Sequence, residues 1–148
     1  MANPKIDAVD SWNFAEKTIT FDGGTGNAIG DFDGTGNPFT FFTVTGVIKM
    51  RIVAVCSTNL AGATSTVEVG TSTTTAGLIA QSTGTDIDAG EIWHDATPDS
   101  SVEAFTVAPD NIVAADVIGT VGTANMTAGV IKFIAMWTPI SGNGNLTV

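Results

Sequence analysis

Apolar side chains recur at alternate positions in residues 47–56, VIKMRIVAVC, and again in residues 130–137, VIKFIAMW. Successive side chains of a strand point to opposite faces, so Ile48, Met50, Ile52, Ala54 and Cys56 share one side while Val47, Lys49, Arg51, Val53 and Val55 share the other. The second stretch divides the same way, with Ile131, Phe133, Ala135 and Trp137 against Val130, Lys132, Ile134 and Met136. Each stretch therefore has one wholly apolar face, and the pattern predicts two partner strands at the centre of a sheet. The opposite faces are charged at one end (Lys49, Arg51, Lys132) and apolar at the other (Val53, Val55, Ile134, Met136), which a strand with water on that side does not normally show. Burying an aliphatic side chain contributes about 1.5–3 kcal/mol, so four left wet would forgo an amount comparable to a domain's whole stability. A loop, a second layer or another subunit is expected over them, and these four residues are the expected oligomer interface.

The rest of the chain reads as shorter strands separated by turns. Residues 18–21 and 39–44 alternate, the latter setting Phe39, Phe41 and Thr43 against Thr40, Phe42 and Val44; Thr45-Gly46 is read either as a hairpin turn into the central strand or as a bulge in one long strand. Residues 64–69 place Val67 and Val69 inward, and residues 78–83, 91–95, 102–107 and 117–121 supply further strands. Residues 71–75 form a threonine-rich loop or edge, residues 86–90 an acidic turn, and the glycine-rich tail after Pro139 is expected at the surface. No apolar spacing of three and four residues persists for a helix, and β-branched residues dominate. About eight short strands predict an all-β, single-domain β-sandwich or jelly roll over residues 18–148, with a partly closed β-barrel as the alternative. Residues 1–17 lack a clear period and are read as an amino-terminal arm or edge segment in which Trp12 and Phe14 are placed to make an outside contact.

Composition narrows the partners. A chain of 148 residues buries about two thirds of its unfolded surface without staples. The single Cys56 lies on an apolar strand face and is read as a buried structural thiol. The formal net charge of -10, with five basic residues, disfavours nucleic acid and anionic membranes alike. No charged and apolar leader pattern and no apolar run of about 18 residues is present, so a soluble chain without an export signal is expected.

Catalytic chemistry has few places to sit. Trp93-His94-Asp95 is the one local cluster with reactive side chains, and a single histidine excludes a three-His zinc site. No Gly-x-Ser-x-Gly elbow accompanies it, Ser100 and Ser101 lie in an ordinary loop context, and His94 is expected as an orienting or exposed structural residue. Asp86, Asp88, Glu91 and Asp95 fall in an expected solvated turn, without the apolar pocket that a glycosidase pair requires. The near-repeat of FDGGTGN at residues 21–27 and FDGTGN at 32–37 offers Asp22, Asp31 and Asp33 to calcium. Both relevant patterns fail, with Phe42 where an EF-hand places its bidentate Glu and Ala28 where the nonapeptide repeat places its Asp. The expectation is no catalytic residue, no metal and no cofactor. A glycan-binding β module is the rival, with Trp12 or Trp93 as a stacking platform, since Trp137 alternates onto the core face and the chain has no Tyr.

Residues 41–70, FFTVTGVIKMRIVAVCSTNLAGATSTVEVG, resemble a group of small structural proteins encoded in tailed-bacteriophage genomes, and the likeness continues through IAQST at 79–83, EIWHD at 91–95 and GVIKFIAMWTP at 129–139. The Gly-Asp repeats lie outside it. The resemblance implies a non-enzymatic virion component, a decoration or cement protein that sits as a homotrimer on the capsid exterior and has the major capsid protein as its partner. A tail or fibre component shares the same features.

Overall fold

A computed structural model describes residues 11–104 and 110–148. Among them are eleven strands: β1 (Asn13–Thr20), β2 (Phe39–Thr45), β3 (Ile48–Ala61), β4 (Thr66–Thr71), β5 (Thr74–Thr83), β6 (Glu91–Trp93), β7 (Asp99–Ser100), β8 (Asn111–Val113), β9 (Val117–Gly122), β10 (Ala128–Pro139) and β11 (Asn145–Thr147). A single 3-10 turn, Gly84–Asp86, joins β5 to the segment leading into β6.

The expected central pair is present: β3 and β10 run antiparallel, with Ile52 opposite Ala135 and Ala54 opposite Phe133. Around it the chain is rolled up as a long hairpin. Strands β1, β2, β3 and β4 pair antiparallel with β10, β9, β6 and β5, four nested partnerships. The pairs alternate between two sheets, one in the order β1-β10-β3-β6-β7 with β8 also on β3, the other β11-β2-β9-β4-β5. This is jelly-roll connectivity in a β-sandwich. No strand pairing joins the sheets among the described residues, so the barrel alternative is set aside.

The sandwich closes over the faces that the alternation marked. Ile48, Met50, Ile52, Ala54, Cys56, Ile131, Phe133 and Ala135 are all buried. From the opposing sheet Phe41 meets Phe133 with ring centroids 4.1 Å apart, and Phe39 packs edge-on against Phe41 at 5.0 Å. Phe42 is buried too, against the strict alternation, because the β2–β9 register breaks between Thr40 and Phe42. Lys17, on the inner side of β1, reaches across the edge of the sandwich and donates to the Thr40 carbonyl at 3.1 Å.

Several local expectations change in the fold. The first strand begins at Asn13, so residues 13–17 lie in the sheet as an edge strand, their period blurred because Ala15 is small and Lys17 is long. Thr45-Gly46 makes neither a hairpin nor a bulge: β2 and β3 belong to opposite sheets, and Gly46, at φ +65°, redirects the chain from one to the other. The carboxyl-terminal tail supplies β11, whose Leu146 is buried at the edge of the second sheet. Of the strand expected at 102–107, residues 102–104 are not in a strand and the remainder lies outside the described residues.

Candidate functional site

Register places the non-core residues of β1, β10, β3 and β6 in cross-strand rows on the outer side of the six-stranded sheet. Phe14 neighbours Met136, which neighbours Arg51; Glu16 neighbours Ile134, then Val53; Thr18 neighbours Lys132, then Val55, then Ile92. The structure thus brings Val53, Val55, Ile134 and Met136 together and adds Ile92 and Phe14 to them. Val53, Val55, Ile92, Ile134 and Met136 are half-buried, while Phe14 is 68% exposed. Every described strand belongs to one of the two sheets, so among the described residues no further strand covers this side.

Charge on the face is compensated locally. Lys132 pairs with Glu16 at 3.2 Å. At the other end Arg51 Nε donates to Asp110 Oδ1, and Lys49 Nζ lies 3.8 Å from the other carboxylate oxygen. The hydrogen bond from Arg51, followed by the attraction of both cations, holds the Asp110 carboxyl below its usual range despite some desolvation. Trp12 caps the same group, with Lys49 Nζ 4.8 Å and the Arg51 guanidinium carbon 5.0 Å from its ring centroid. Of the two aromatics expected to contact a partner, Trp12 is already held against cations of its own chain, and Phe14 projects outward.

Trp93 does not present a stacking face. It is fully buried, opposite Ala54, and its indole N–H donates to Ser82 Oγ at 2.8 Å. Trp137 packs against the core. A shallow groove of about 370 Å³ between residues 70–78 and 111–115 is lined by threonines, glycines, small apolar residues and Asn111, with no ionisable group.

The acidic residues have structural roles. Glu91 accepts the Asp88 N–H at 2.7 Å, and Asp95 accepts the Thr97 N–H at 2.7 Å. In the Gly-Asp loop Asp31 is buried and accepts the Asn27 N–H at 2.8 Å, while Asn37 bridges to Val121 through both its amide groups. Asp22, Asp31 and Asp33 do not converge on one point; among the described residues the grouping that does is His94, Asp95 and Glu103.

His94 is buried, not exposed, and its Nδ1 lies 3.5 Å from Glu103 Oε1. Burial raises the Glu103 carboxyl, reinforced by Asp95 and then Asp99, with a hydrogen bond and attraction from His94 opposing the rise. Glu103 was not legible as a site residue: it is a lone acid nine positions from the histidine, flanked by Val102 and Ala104. Comparison with known protein families, curated proteins and solved structures found no match.

Proposed function

We propose that this chain is a non-enzymatic structural protein of a tailed-bacteriophage virion, which decorates the capsid exterior as an oligomer and stabilises the shell by bridging copies of the major capsid protein. The observation that carries the reading is the outer face of the six-stranded sheet: an apolar strip across β10, β3 and β6, nearly neutral through its internal ion pairs, on a chain with a net charge of -10. A strongly acidic molecule repels its own copies, and the repulsion is weak at such a nearly neutral face. A second copy of the chain is its natural occupant, and a cyclic trimer satisfies the strip on every subunit. Phe14, exposed at the margin, then remains for the capsid. The chemistry of the jelly roll is that of a clamp, adding buried interface between capsid subunits that resists expansion.

The reading is tested by the mass of the protein in solution and by its count in particles. Light scattering is expected to give a trimer at micromolar concentration and a folded monomer for Ile134→Glu, whose charge would sit between Val53 and Glu16. Quantitative mass spectrometry of purified virions is expected to find roughly one copy per capsid subunit. A wild-type monomer overturns the interface; a few copies per particle moves the protein to the tail, and absence from the particle overturns the virion role.

A further inference from the structure

The chain around His94 is pinned from three directions. Trp93 anchors it in the core, Ser82 donates to the Asp95 carbonyl at 3.3 Å, and β7 folds back on β6 with Asp99 opposite Ile92 and Ser100 opposite Glu91. This return brings Glu103 to the histidine. The His94 and Glu103 side chains are 9% and 4% exposed, and one ligand atom each from His94, Asp95 and Glu103 lies within 4.8 Å of the others.

A carboxylate withdrawn from water needs its oxygens satisfied, or the loss of hydration costs several kcal/mol. Glu103 Oε2 is buried and makes no hydrogen bond. A second carboxylate, Asp95, stands beside it: its Oδ1 accepts the Thr97 N–H, and one of its oxygens is among the ligand atoms that meet. Two carboxylates and one imidazole thus present ligand atoms within 4.8 Å of one another, and one buried carboxylate oxygen among them, Glu103 Oε2, makes no hydrogen bond.

We propose that His94, Asp95 and Glu103 bind a divalent transition-metal ion of the zinc class, which ties the segment after β7 to the end of β6. Imidazole nitrogen with two carboxylate oxygens suits such an ion; calcium takes six to eight oxygens, and magnesium holds most of its water. Zinc bonds of about 2.0–2.1 Å place tetrahedral ligands roughly 3.3–3.5 Å apart, and the His94–Glu103 separation of 3.5 Å already fits. Asp95 closes the set, and water takes the fourth position. The site does not depend on the virion role.

The test uses the full chain, stripped with chelator and dialysed, and Zn²⁺ alone as the probe. Calorimetry is expected to show one Zn²⁺ per chain, with a matching rise in melting temperature. Glu103→Gln is expected to weaken binding at least tenfold while the metal-free protein melts no lower than wild type, because a neutral amide replaces a buried charge. Asp86→Asn, an exposed acid outside the cluster, is expected to bind as wild type. Absence of stoichiometric binding, or equal binding by Glu103→Gln, overturns the site. Should that variant fail to fold, Co²⁺ added to the wild-type chain decides: strong visible absorption of a four-coordinate ion supports the site, and the weak spectrum of a six-coordinate one overturns it.

Discussion

Cys56 illustrates how burial sets the behaviour of a single residue. Its side chain is 1% exposed on the inner face of β3, and the Sγ hydrogen lies among the carbonyls of Thr58, Ile87 and Val130. Desolvation raises the thiol above its ordinary value of 9.0, with backbone hydrogen bonding from Thr58 opposing and the charges of Glu91 and Asp88 reinforcing the rise. The nucleophile is the thiolate, so Cys56 is expected to resist a disulfide reagent at pH 8 in the native protein and to react fully once denaturant unfolds it. The sign of the linked pH dependence follows from the direction of the shift. The folded form holds the proton more tightly, so this contribution to stability is complete below pH 9.0 and is lost as the pH rises through the folded value. Denaturant midpoints measured on either side of pH 9 check it; rapid labelling of the native thiol would contradict the packing.

At the scale of elements, glycine makes room for the aromatic centre of the second sheet. A Cβ on Gly119 of β9 would come within 2.5 Å of the Phe39 ring and 2.6 Å of the Phe41 ring. Those rings are wedged between the sheets by Phe21 and Phe133, so neither can retreat cheaply. Gly119→Ala is expected to cost about 1–3 kcal/mol, the usual range for overpacking a filled core. Chemical denaturation reads the loss directly, and a neutral result would mean that the rings have space to turn. Gly129 serves a different need. It sits where the β10–β3 register shifts between Ala128 and Val130, at φ +123°, a conformation that side chains disfavour.

The molecule as a whole carries a charge imbalance that the folded state concentrates. Ten excess negative charges on one small domain repel each other, and the two ion-pair groups on the outer sheet face offset only part of this. Raising sodium chloride from about 20 mM to about 300 mM shortens the screening length several-fold and is expected to raise the melting temperature by a few degrees. A fall instead would show that local pairs such as Lys49–Asp110 outweigh the general repulsion. The same screening should tighten association through the apolar strip, which separates it from an interface held together by charge.

The central pair of strands, its core face, the mixed outer face and the all-β class were legible because each depends on a local period of two that residues 47–56 and 130–137 display without interruption. Strand order was not, since the partnership of β1 with β10 joins positions more than a hundred residues apart and only the packing of two sheets selects it. For the same reason Phe42 and Leu146 entered the core against expectation, one through a register break and the other through a late edge strand. The site residues divide along the same line. Val53, Val55, Ile134 and Met136 were readable as one face because neighbours on a strand share a side every second residue. Glu103 reached His94 through the return of β7 onto β6. Alternation along the chain determines which side of a strand is apolar, whereas burial of those sides against one another decides which distant residues meet.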